Sequence, residues 1–114
     1  MHEGPVTESI LKIVLEYAEK HRARRVKKVE IVVGRLTGYE ESSIRFYWEA
    51  LTVDTLANGA ELEVRHVPIT VKCFGCGETY EAEDQYSLFC PKCGFYGGNV
   101  ETGKELYVES IEIE

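Results

Sequence analysis

The chain has little of what an enzyme, a membrane anchor or a nucleic-acid binder needs. No apolar run in its 114 residues approaches the roughly 20 residues of a membrane span, so a soluble protein is expected. There is no glycine-rich phosphate loop, because Gly34-Arg35-Leu36-Thr37-Gly38 lacks the lysine and the spacing of one. Ser42 and Ser43 stand at a helix start, where capping accounts for them. The carboxylates are many but spread along solvated faces. No catalytic constellation emerges, and an enzyme is not expected. The formal net charge is -7, whereas nucleic-acid binders carry a basic footprint. The basic residues cluster only at Arg22, Arg24, Arg25, Lys27 and Lys28, without interleaved aromatics, as suits a helix end and a strand start. Internal repeats and low-complexity segments are missing. So is a secretory signal, because Met1-His2-Glu3-Gly4-Pro5 has neither a basic nor an apolar region. A cytoplasmic location with reduced thiols is therefore expected.

What is there is concentrated between Cys73 and Cys93. That stretch holds all four cysteines as two C-x2-C knuckles, Cys73/Cys76 and Cys90/Cys93, each followed by a glycine, Gly77 and Gly94. The spacing is that of a four-thiolate zinc site, in which each knuckle grips one face of a tetrahedral ion. The trailing glycines permit the tight turn that aims backbone N–H groups at sulfur, and Pro91 stiffens the second turn. Disulfides are disfavoured by a reducing compartment. A redox pair would open a helix after a strand, and here the knuckles sit among glycines and charged residues. With four thiolates and one Zn2+ the formal charge would be about -9. Such a zinc is coordinatively full, hence structural, and offers no position for activating water.

The remaining pattern predicts a small α/β (α+β) fold, with two helices packed on a three-stranded sheet and a zinc ribbon inserted into it. Val6, Ile10, Ile13, Val14, Tyr17 and Ala18 recur at helical spacing from a start at Gly4-Pro5 to about His21-Arg22. Pro5 is expected at the first helical position. Val26–Gly34 alternates as a strand, and a second helix is expected from about Glu41 to Asp54. Within it Phe46-Tyr47-Trp48 sweep about 200° of helix surface, more than one contact can bury. The spare aromatic is expected to pack in the core, under the zinc module, rather than to face a partner. After the Asn58-Gly59 turn, Leu62, Val64 and His66 alternate up to Pro68, where the strand leaves the sheet. Thr79–Ala82 reads as a ribbon strand, Phe89 as a residue packed near the metal, and Gly97-Gly98-Asn99 as a flexible exit. Residues 105–114 return as a last strand whose alternation slips between Val108 and Ile111. Residues 1–68 plus 103–114 are thus expected as the α/β domain, and 69–102 as the zinc ribbon.

The first three residues are a weaker chemical signal of a different kind. The initiator methionine is expected to remain before histidine. A free α-amine, the amide of residue 2 and the His2 imidazole can close consecutive chelate rings about one metal. Glu3 would complete a near-planar set of the kind Ni(II) or Cu(II) prefers.

Taken together, several features resemble the HypA/HybF family, nickel metallochaperones of [NiFe]-hydrogenase maturation. They are the Met-His-Glu opening, the Gly34-Arg35-Leu36-Thr37-Gly38 turn, the aromatic second helix and the late C-x2-C…C-P-x-C-G module, and they span the full chain. The resemblance implies Ni2+ as cargo, held by the Met1 amine, His2 and Glu3, and Zn2+ held by Cys73, Cys76, Cys90 and Cys93. It places the family's acidic residue after the turn, near the nickel site in space, at Glu40, where aspartate is more usual. It also implies the GTPase HypB as a partner and the hydrogenase large subunit as recipient, and it leaves a homodimer and delivery to urease open. The chain departs from the pattern at Gly4-Pro5-Val6, where Gly4 is expected to loosen the segment. The competing reading is a zinc-ribbon adaptor for a protein partner, without nickel.

Overall fold

The first helix starts earlier and is better anchored than its proline suggests. In the computed structural model, which describes residues 2–114, α1 spans Glu3–Lys20 and Pro5 is its third residue. The first four N–H groups of a helix have no intrahelical acceptor, so a proline there costs no hydrogen bond. Gly4 lies against a neighbour, and a Cβ there would meet the Tyr47 ring at 3.4 Å. The segment is packed, not loosened. Ile10, Leu11, Val14 and Ala18 form the buried stripe of α1, while Ile13 stands 52 % exposed.

β1 (Val26–Gly34) follows, then a single 3-10 turn at Arg35–Thr37, α2 (Glu41–Leu51) and β2 (Glu61–Val67). The last strand, β6 (Leu106–Ile113), closes a mixed sheet in the order β2-β1-β6. Glu114 N–H donates to the Arg25 carbonyl and Gly34 N–H to the Glu105 carbonyl, so β6 runs antiparallel to β1. α2 is the crossover that lets β2 run parallel to β1. It ends at Leu51, before the expected Asp54: Thr52 N–H makes the last i→i−4 bond, to the Trp48 carbonyl, Asp54 adopts a left-handed φ of 63° that no α-helix continues, and turns carry the chain to Gly59. Ile44 and Trp48 are its buried residues. Phe46 is 67 % exposed, contrary to the expectation that the spare aromatic is buried.

Pro68 separates β2 from β3 (Ile69–Cys73), which belongs to a second sheet of order β4-β3-β5. β4 is Thr79–Ala82 and β5 is Gly98–Thr102. β5 corrects the flexible exit, since it pairs antiparallel with β3 from Thr70↔Thr102 to Cys73↔Gly98. Ile69, Val71, Tyr80 and Ala82 with Cys73 and Cys90 make a small buried core, against which Leu36, Leu88 and Val100 pack. This gives the Gly34–Gly38 turn its role. Leu36 docks on the core, its N–H bonds the Gly103 carbonyl at 2.8 Å, and a Cβ at Gly34 would lie 2.0 Å from that same oxygen.

The chain divides into two compact units. One comprises Met1–Val32, Tyr39–Arg65 and Tyr107–Glu114, and the other Val33–Gly38 and His66–Leu106. Among the described residues no helix is long and apolar enough to cross a membrane.

Candidate metal centres

The four cysteines converge as their spacing predicts. Their sulfurs all lie within 4.8 Å of one another, with Cys73 Sγ–Cys93 Sγ at 3.6 Å and Cys76 Sγ–Cys90 Sγ at 3.7 Å. Sulfurs about 2.3 Å from a tetrahedral zinc would be about 3.8 Å apart. The two knuckles are built alike. Cys73 N–H bonds the Glu78 carbonyl and Gly77 N–H the Cys73 carbonyl, while Cys90 N–H bonds the Phe95 carbonyl and Gly94 N–H the Cys90 carbonyl. Gly77 and Gly94 adopt φ of 76° and 78°, the left-handed conformation in which a side chain is strained.

The same turns aim N–H groups at sulfur. Gly75 N–H donates to Cys73 Sγ at 3.2 Å. The Cys73 thiol is lowered by the N–H of Cys76 and that of Gly75, against burial. Cys90 falls to about 7 through the N–H of Cys93 and of Lys92, again against burial. The second cysteine of each knuckle goes the other way. Against the pull of the Glu78 N–H, burial and the Cys90 sulfur raise Cys76. Against that of Phe95, burial and the other three sulfurs push Cys93 up to about 12. Four thiolates this close need a central cation to ionise together, and the donor set, geometry and N–H support fit Zn2+. Phe89 does not pack on this centre as expected; it is 61 % exposed and stands edge-on to Tyr96, ring centroids 4.8 Å apart.

The second set of residues lies at the start of α1. His2 is exposed, at the N-cap position with φ 61°. Glu3 is buried, only 4 % exposed. Its Oε2 accepts the backbone N–H of Glu40 at 2.9 Å, and its carbonyl accepts the buried Thr7 hydroxyl at 2.6 Å. The Glu40 N–H holds the Glu3 carboxyl ionised, down to about 2, despite burial. Glu40 is the N-cap residue of α2, and its side chain is exposed. The structure thus brings Glu3 and the Glu40 backbone together beside His2, while Met1 lies outside the described residues. Residue type and spacing alone do not signal the bond between residues 3 and 40; the family resemblance is what places Glu40 near the first residues, and it does not specify a backbone N–H as the partner.

The family described as hydrogenase/urease nickel incorporation, metallochaperone, HypA matches residues 1–113. A hydrogenase maturation factor HypA from Caldanaerobacter subterraneus subsp. tengcongensis is 43 % identical over 115 residues, covering 100 % of both chains. One from Dehalococcoides mccartyi is 37 % identical over 114 residues, which are 100 % of this chain and 95 % of that one. The solution structure of the nickel metallochaperone HypA from Helicobacter pylori superposes with a TM-score of 0.67 at 22 % identity, covering 99 % of this chain and 97 % of that one. At that identity the likeness is one of fold.

Proposed function

The chain belongs to the HypA family of hydrogenase and urease nickel-incorporation metallochaperones, and we propose that it carries Ni(II) on its first residues to a [NiFe]-hydrogenase large subunit. The ligands in this reading are the Met1 α-amine, the residue-2 amide and the His2 imidazole, with Glu3 beside them and Glu40 close by. The observation that carries it is the pairing of an exposed His2 with a buried, ionised Glu3 tied to the Glu40 N–H. That tie fixes the first turn of α1 and leaves the preceding residue accessible. A fixed carboxylate puts negative charge next to the cation's seat, and exposed terminal ligands can be released one at a time to an acceptor.

Cys73, Cys76, Cys90 and Cys93 hold Zn2+ as a structural ion in the ribbon of residues 69–102, while residues 1–68 and 103–114 carry the nickel end. A saturated tetrathiolate has no open position, so the cargo stays at the terminus. The GTPase HypB is the cooperating partner in this reading, and no covalent chemistry falls to this chain.

Nickel titration of the native protein, beside a form with one extra N-terminal residue, tests the reading. The extension moves the amine and takes histidine out of position 2. Loss of one tight Ni(II) equivalent with zinc retained is expected. Equal nickel binding by both forms would sink the proposal and leave the zinc-ribbon adaptor.

A further inference from the structure

β6 is an open edge. Among the described residues it pairs with β1 alone, and it is 8 residues long. Long edge strands are normally blunted by lysine, proline, a bulge or a covering element; Leu106-Tyr107-Val108-Glu109-Ser110-Ile111-Glu112-Ile113 contains neither lysine nor proline, and its slip in alternation lies between Val108 and Ile111, which leaves Ile111–Ile113 regular. The N–H of Glu114 is bonded to Arg25, and its carbonyl accepts from Arg24. Strand geometry alternates, so Ile113 and Ile111 direct their N–H and carbonyl groups to the open side.

The ground beside that edge is apolar. Val108, Ile111 and Ile113 are only half-buried. One turn apart on α1, Ile13 is 52 % and Tyr17 39 % exposed. Together with Val108, Glu109, Ser110 and Ile111 they line a groove of about 430 Å³. Glu112 alternates with the two isoleucines and so stands on the opposite face of the strand.

We propose that the β6 edge takes an extended segment of a partner protein in which apolar residues alternate with lysine or arginine. The segment adds a fourth strand through main-chain hydrogen bonds. Its apolar side chains fall against Ile13 and Tyr17, and its basic ones beside Glu112, with Glu109 at the mouth of the groove. A second copy of this chain complements the edge poorly, because its own β6 brings two more carboxylates, Glu109 and Glu112, and no lysine or arginine. The docking is independent of nickel.

Amide hydrogen exchange on the zinc-loaded full chain tests this, with an octapeptide alternating valine and lysine as the probe. Saturating peptide should slow exchange at the Ile111 and Ile113 N–H about tenfold, with little change at Glu114, whose N–H is already bonded. An octapeptide alternating valine and glutamate should give no slowing. Ile13→Lys or Tyr17→Lys, each at an exposed position, should weaken binding about tenfold while zinc content and circular dichroism stay unchanged. The proposal fails if the lysine peptide gives no slowing or the glutamate peptide works equally well. It also fails if protection appears with rising protein concentration alone, which would assign the edge to a second copy.

Discussion

Glu3 combines two demands that usually conflict, burial and charge. An ionised carboxylate removed from water must find donors, and here the Glu40 N–H supplies one from 37 residues away. Glu3→Ala should cost roughly 1.5–3 kcal/mol at neutral pH, the range for hydrogen bonds to charged groups, read as a lower urea midpoint. Glu3→Gln keeps an oxygen acceptor and should cost less. Because folding lowers the Glu3 pKa from 4.5 to about 2, its contribution is complete above the unfolded value and is lost as pH falls through the folded one. The difference in stability between wild type and Glu3→Ala should therefore shrink between about pH 4.5 and 2; a difference independent of pH would contradict the charged clamp. Phe46 is the opposite case. At 67 % exposure it contributes little to the core, so Phe46→Ala should change the unfolding free energy by no more than about 0.5 kcal/mol.

At the scale of elements, the pattern of each segment was legible where it acts locally. Periodicity located α1 and β1, and the two C-x2-C knuckles with their glycines specified the tetrathiolate. What escaped was set by partners distant in sequence. Residues 97–99 read as a flexible exit because glycine and asparagine normally mark turns, yet β5 starts at Gly98. A Cβ there would sit 2.2 Å from the Lys72 carbonyl oxygen and 2.7 Å from a Val71 methyl group. That glycine serves a close strand crossing, not flexibility. Gly98→Val should therefore separate β5 from β3 beside Cys73 and speed zinc loss to a chelator, followed with a chromogenic dye. Unchanged release would mean that the β3–β5 pairing does not support the knuckle. Phe46 departs from the helical pattern for a related reason. Helix periodicity marks which stripe can be buried, but whether a second stripe finds cover depends on what else packs there.

The whole molecule rests on two cores of unequal self-sufficiency. The unit containing α1, α2 and most of the mixed sheet buries Ile10, Leu11, Val14, Val29, Ile31, Ile44, Trp48 and Leu62, among others. The ribbon of residues 69–102 buries four apolar residues beside Cys73 and Cys90, too little for a metal-free domain of this size to persist. Its folding free energy must come largely from the ion, because binding a divalent cation to a preformed thiolate set is itself folding free energy. Removing zinc should therefore melt the ribbon and leave the other unit folded. The chain has a single tryptophan, Trp48, 3 % exposed on α2, so its fluorescence reports the second outcome separately. On chelation at neutral pH, amide signals from Ile69 to Thr102 should collapse toward random-coil positions while Trp48 emission stays that of a buried indole. A red-shifted Trp48 on zinc removal would show that the metal supports both cores.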